Sequence, residues 1–268
     1  MAAVADLYVE RSSWVHRADP RVKFVFVVLA IASVLLFSNI FVTALVLVLV
    51  HVLILSAHVP VRRIRWVWRR MLPINILVFV LILLVYPEGP EFLRLGFVRL
   101  TGLAAIRGAA LALRLDAIAL IVFSWVFTTD QTQMVRGFVK LGLPYEAGLV
   151  LALSLRYIPM FYSTFESISS AQQARALELG AGSITRRLRN YMPILVAMMI
   201  SALRTAEKLG RALESRALGA QGVRRSVYHD IRFRGVDYVC LTVLAVLFGA
   251  VLVLRFGLGI GGELVRFW

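Results

Sequence analysis

The stretch STFESISSAQQARALELGAGSITRRLRNYMPILVAMMISALRTAEKLGRALESRALGA, Ser163 to Ala220, is a long, charged, helix-forming insert in an otherwise oily chain. It carries two similar Arg-centred triplets, Ala174-Arg175-Ala176 and Ser215-Arg216-Ala217, each at the polar end of an expected helix. Each helix also has small residues at a spacing of four: Ser163, Ser167 and Ala171 on the first, Ala202, Ala206 and Gly210 on the second. Residues at i, i+4 and i+8 share a helix face, and small side chains there let two backbones approach closely. The spacing predicts that the two helices cross in contact; the bland alternative is chance, since Ala and Ser are common in any helix.

The surrounding chain decides the class. Of its 268 residues, 60% are hydrophobic, against roughly 45–50% in soluble domains, and its mean hydropathy is +0.82. Such a chain is a polytopic membrane protein. Its net charge of +15 could suggest nucleic acid, but the basic residues cluster at the ends of apolar segments and follow the positive-inside bias. Cys240 is the only cysteine, which excludes an intramolecular disulfide and a thiolate metal cluster. The first 20 residues lack a cationic run before an apolar core, so the first apolar segment is expected to stay in the membrane.

Taken in order, Asp19-Pro20-Arg21-Val22-Lys23 opens the first span, with Asp19 as a cap, Pro20 in the first turn and the two cations at the headgroups. Spans are expected at about 22–38 and 40–58, joined tightly at Ser38-Asn39. His51 and His58, seven apart with no acid or thiol nearby, are a weak metal signal, and no metal site is assigned. Val61 to Arg70, with five arginines and two tryptophans, reads as a cytoplasmic interfacial loop against anionic lipid, which also places the N-terminus inside. A third span follows at about 72–86, then an external turn at Pro87-Glu88-Gly89-Pro90, a mixed surface stretch at 91–103, and a fourth span at about 104–127. The spacing of Arg99, Arg107 and Arg114 puts them on one face, with Arg114 either an ion inside the bundle or a contact to a partner.

Thr128-Thr129-Asp130-Gln131 brings the chain inside and starts a short helix that Gly142 and Pro144 end. Residues 128–235 are expected to form a cytoplasmic helical region, partly membrane-associated at 147–162. Within it a helix from Tyr145 is kinked near Pro159, Gly180 and Gly182 break the chain, Arg186-Arg187-Leu188-Arg189 is a basic bend, and Pro193 opens a helix that Gly219 and Gly222 stop. After Arg224, Arg225, Arg232 and Arg234 comes the last span, about 236–254, and a short external tail to Trp268. The fold class is thus an all-α membrane protein with five to six transmembrane helices and long crossing cytoplasmic helices.

No enzyme constellation is present in the sequence: no phosphate loop with its Lys, no His-Glu-x-x-His, no paired aspartates, no Gly-x-Ser-x-Gly elbow. No catalytic residue and no cofactor is assigned, and an integral membrane transferase is a distant alternative. What remains is a pair of helix ends, each presenting one Arg between small residues. A guanidinium binds a carboxylate bidentately, and small neighbours give it room to enter a groove on another protein. Two such ends imply two docking sites and a dimeric partner. Otherwise each Arg merely caps its own helix or pairs with Glu178 or Glu214.

Together these residues resemble the transmembrane T component, the EcfT/CbiQ type, of energy-coupling factor transporters. The resemblance covers nearly the whole chain and rests on Asp19-Pro20-Arg21-x-Lys23, Thr128-Thr129, Arg156-Tyr157-Ile158-Pro159, Ala171-x-x-Ala174-Arg175-Ala176 and Glu214-Ser215-Arg216-Ala217. It implies two coupling helices crossing as an X, with Arg175 and Arg216 each entering a groove on one of two ABC-type ATPase subunits. It also implies a small membrane S component that binds the vitamin or transition metal, and a multi-pass location in a prokaryotic cell (inner) membrane with the N-terminus cytoplasmic. The family often has Ala-Arg-Gly at the triplets, whereas Ala176 and Ala217 stand in the Gly places here. The rival is a permease of a conventional binding-protein-dependent ABC importer, whose loop has a Gly and a Pro separated as Gly180 and Pro193 are; but Arg175 sits where that loop's first Ala belongs, and the second triplet has no counterpart.

Overall fold

Asp19 Oδ1 accepts the Arg21 N–H at 2.9 Å, so the first long helix starts at Pro20 as the capping signal requires. The computed structural model describes residues 8–9, 11, 13–37, 40–85, 91–95, 98–180, 182–218, 233–253 and 255. Among these, the helices are α1 (Trp14–Arg17), α2 (Pro20–Leu36), α3 (Ile40–Ser56), α4 (Val61–Val85), α5 (Gly102–Thr128), α6 (Gln131–Lys140), α7 (Tyr145–Ala174), α8 (Ile184–Glu214) and α9 (Gly235–Leu252). The fold is all-α and membrane-spanning: α4, α5, α7 and α9 are each long and apolar enough to cross a bilayer, and α3 is a shorter apolar helix. The joint at Ser38-Asn39, the turn at 87–90, the stops at Gly219 and Gly222, Arg224, Arg225 and Arg232, and the tail from 256 lie outside the described residues.

Three expectations are corrected. The basic tract at 61–70 is not a loop but the first turns of α4, which continues through Pro73 to Val85. Arg is a good helix former and no Gly or Pro interrupts residues 61–72, and Pro73 removes only one ladder bond, a loss tolerated in apolar helices. Residues 91–101 include an antiparallel hairpin, β1 (Glu91–Leu95) with β2 (Val98–Thr101). The period-two pattern of Leu93, Leu95, Val98 and Leu100 about Arg94 and Arg99 carries that signal. Arg99 therefore lies on a strand and not on the face of α5, which starts at Gly102 after Thr101 Oγ1 accepts the Ala104 N–H at 3.3 Å.

The chain divides into two compact units, one holding α1–α6 and α9 and the other α7 and α8. In the first, α5 is central: 39% of its most apolar window is buried, against 6% in α4 and α9. Its buried side chains include Ala117, Leu120, Ile121 and Phe127, which join Ile54 and Val50 of α3, Val34 of α2 and Val67 of α4 in one cluster. Between helices in lipid the gain comes from close packing and interhelical hydrogen bonds rather than from water release. Gly108 supplies such an approach, since a Cβ there would lie 3.3 Å from the Phe79 carbonyl. Both Asp116 carboxylate oxygens accept from Asn75 Nδ2 at 2.9 Å, while Arg114 donates to the Leu35 carbonyl at the end of α2. Asp116 and Arg114 of α5 thus point to different neighbours, and Arg114 caps the end of α2. His51 is used structurally as well, with Nδ1 on the Leu47 carbonyl and Nε2 accepting from Trp68 Nε1 at 3.2 Å.

Candidate functional site

Within the α7–α8 unit the two triplets fold into the same turn. After α7, the Leu177 N–H donates to the Gln172 carbonyl at 3.1 Å and the Ala176 N–H to Gln173 at 3.0 Å. After α8, the Leu218 N–H donates to Leu213 at 3.0 Å and the Ala217 N–H to Glu214 at 2.9 Å. This pairing of a bond five residues back with one three residues back is the Schellman turn, which needs one residue in the left-handed region. Ala176 (φ 64°) and Ala217 (φ 57°) occupy it, in the places where Gly is expected. Both arginines consequently stand at the outermost corner of a closed helix end. Both are exposed, and neither guanidinium pairs with Glu178, Glu214 or any other side chain among the described residues.

The two corners are far apart. The Asn190 side chain donates to the Glu178 carbonyl, tying the chain just past Arg175 to the start of α8. Arg216 follows the other end of α8, which at about 1.5 Å per residue is on the order of 40 Å away. At that end Leu209, Ala212, Leu213 and Arg216 share a groove with Leu149, Leu153, Arg156, Tyr157 and Met160 of α7. The helices therefore run antiparallel. Of the expected small-residue rows, Ser163, Ser167, Ala171 and Ala206 are exposed, Ala202 is half-buried, and a Cβ on Gly210 would meet nothing within 4 Å. Among the described residues of the unit, the buried positions are Gly148, Ser169 and Ile194.

Two sequence readings of this region are corrected by the helix boundaries. Arg186 to Arg189 are not a bend but the first turns of α8, which begins after Ser183, and Pro193 falls within the helix rather than in its first turn. Ser183, in an extended conformation, provides the start that Pro193 was expected to provide. α7 runs as one helix through Pro159 to Ala174.

In the other unit, motifs distant in sequence meet. Lys23 Nζ donates to the Thr128 carbonyl at 2.8 Å and to the His16 carbonyl at 3.2 Å. Asp237, at the start of α9, accepts the Asp19 N–H at 3.0 Å on Oδ1 and the Arg234 N–H at 2.8 Å on Oδ2. Asp19, Lys23, Thr128, Thr129 and Asp237 are all buried, and the Arg21 guanidinium lies 4.6 Å from the Phe233 ring centre. Asp237 was not singled out from the sequence; its only signal is that it is the lone acid in the first turn of an apolar helix. Beside this cluster, burial holds His16 below the usual imidazole range, the Val9 carbonyl opposing that shift and Lys23 adding to it. With Nε2–H donating to Val9, Nδ1 is left to accept from Ser13 Oγ at 2.8 Å.

The class defined by these features is a multi-pass helical membrane protein with a buried ionic clamp in its bundle and a separate helical hairpin ending in two free arginines. Residues 11–226 match the family described as CbiQ, cobalt transport protein. Over 92% of its length the chain is 32% identical to the energy-coupling factor transporter transmembrane protein EcfT of Listeria innocua, covering 96% of that protein. It is 29% identical to the protein of the same name from Bacillus subtilis, over 92% of this chain and 96% of that one. The chain belongs to the CbiQ/EcfT family of transmembrane transport proteins.

Proposed function

We propose that the chain is the non-catalytic transmembrane coupling subunit of an energy-coupling-factor importer, working with two ABC-type ATPase subunits and a small substrate-binding membrane S component. One observation carries this reading: Arg175 and Arg216 stand on two identical turns, on the order of 40 Å apart, exposed and without a partner side chain. Family membership supports the rest. Each planar guanidinium engages an acidic groove on one ATPase, and the closed turn behind it passes movement to its helix because the helix end cannot unwind freely. The small-residue rows at Ser163, Ser167, Ala171, Ala202, Ala206 and Gly210, exposed or half-buried, offer close approach when the hairpin rearranges under load. Ala174, Ala176, Ser215 and Ala217 keep both corners slim enough to dock. The N-terminus and the basic start of α4 lie on the cytoplasmic side, and specificity for a vitamin or metal resides in the S component.

The test is a gentle pull-down from the native membrane paired with an uptake assay. Two ATPase subunits and a small apolar membrane protein are expected with the wild-type chain, whereas Arg175→Glu with Arg216→Glu loses the ATPases and the uptake yet remains inserted. Unchanged uptake in the double variant overturns the coupling role, and recovery of a soluble binding protein in place of the small membrane protein favours a conventional importer.

A further inference from the structure

The basic opening of α4 is a sequence motif that the coupling role leaves without a task. Arg62, Arg65 and Arg69 are exposed and follow a spacing of three and four, so they share one helix face, with neighbouring Cβ atoms about 5–6 Å apart. Ile64 and Val67 are buried on the opposite face. The Trp66 ring meets the Phe123 ring of α5 edge-on, with centroids 5.9 Å apart, and Trp68 Nε1 donates to His51 of α3, so packing fixes which way the arginine face looks. The same face continues past the arginines as Leu72, Pro73, Ile76 and Val80, all exposed. No acidic residue occurs between Asp19 and Glu88, and none of Arg62, Arg65 and Arg69 has an ion-pair partner among the described residues. These arginines also occupy the first turns of the helix, the positive end of its dipole, where cations are disfavoured and anions are drawn in.

We propose that this face of α4 is a binding site for an anionic phospholipid, its phosphate held by Arg62, Arg65 and Arg69 and an acyl chain lying along Leu72, Ile76 and Val80. Length supports the match. Arg69 and Val80 lie eleven positions apart on the helix, which at 1.5 Å per residue is on the order of 16 Å, about half of a hydrocarbon core of roughly 30 Å and so the depth of one leaflet. An acidic protein satisfies the arginines but not the aliphatic continuation, which lies on a helix long and apolar enough to cross a bilayer. A zwitterionic lipid fits the aliphatic part, but its own cation opposes the arginines. The site does not depend on the transport role, because α4 belongs to the bundle unit and not to the α7–α8 unit that bears Arg175 and Arg216.

The experiment incubates the full chain in a neutral detergent with dioleoyl phosphatidylglycerol or dioleoyl phosphatidylcholine, and counts retained lipid by native mass spectrometry. Phosphatidylglycerol is expected to stay bound to the wild type, while phosphatidylcholine washes off. Arg65→Gln alone weakens that retention about fivefold, and Arg62→Gln with Arg65→Gln and Arg69→Gln about a hundredfold, the contribution expected of arginines close to an anionic lipid. Lys at the same three positions keeps most of it, since the charge stays. The matched control, Arg186→Gln with Arg187→Gln and Arg189→Gln, removes three exposed charges from α8 and leaves retention unchanged. Ile76→Gln with Val80→Gln weakens it as well, which a site for free phosphate alone would not show. Equal retention of the two lipids, an equal drop in the α8 control, displacement by inorganic phosphate, or no retained lipid at all would each overturn the proposal; the last would leave the arginines to an acidic protein.

Discussion

The bundle of α2–α5 and α9 and the hairpin of α7 and α8 use the same residue types in opposite ways. In the bundle, Asp19, Lys23, Asp116 and Asp237 are buried and hydrogen-bonded, so charge fixes one arrangement of helices. In the hairpin, Arg156, Arg175 and Arg216 are exposed and unpaired, and few side chains are buried at all. A charge removed from water must find its partner inside the fold, whereas one left at the surface is available to another molecule. The buried charges of the bundle therefore belong to its frame, and those of the hairpin are left open to another molecule.

The sharpest way to break this contrast is to remove a charge from each side. Lys23→Met strips the Thr128 and His16 carbonyls of their donor and removes a buried cation whose charge faces Asp19 and Asp237, and should destabilise the bundle by about 3 kcal/mol in thermal unfolding in detergent. Arg216→Met, at an exposed corner, should leave the unfolding temperature unchanged, and an equal loss in the two variants would erase the distinction. Packing comes next. Gly108→Leu drives a side chain against the Phe79 backbone and should cost about 1–3 kcal/mol, in the direction opposite to the ordinary gain in helix propensity on replacing Gly.

Smaller effects sharpen the same picture. Ala176→Gly and Ala217→Gly relieve left-handed strain and should each stabilise the hairpin by up to about 1 kcal/mol, measured as slower proteolysis near each turn, with uptake retained. Finally, His16 is held below its ordinary value of 6.5. The folded state therefore favours the neutral ring, while the unfolded chain takes up a proton first as pH falls. Stability should be full above pH 6.5, decline from there toward the lowered folded value, and level off below it. His16→Asn should flatten that slope, and an unaltered slope would assign it to another group.

Much of this was legible in the residues. Asp19 and Asp130 cap α2 and α6 as their positions suggest, and Gly142, at φ 117°, ends α6. Local hydrogen bonding within one turn settles such features, so nearby sequence is enough. The start of α4 was misread because arginines suggest a loop when only hydropathy is weighed, although Arg is a good helix former. The hairpin of β1 and β2 was missed because its period-two pattern is short and mixed. At the candidate site, the two Arg triplets were visible, but their status as exposed and unpaired was not, since a helix-end Arg has acidic neighbours in sequence whether or not it bonds to them.

By itself the sequence determined the membrane class, most caps and the two Arg-bearing helix ends, because hydropathy, capping and turn chemistry act over a few residues. The tertiary structure alone decided that Asp237 meets Asp19 across 218 positions and that Lys23 reaches Thr128 across 105. It also decided that Arg156 and Arg216 share a groove. Such pairings depend on which helix faces the packing turns together, and no local pattern encodes that choice.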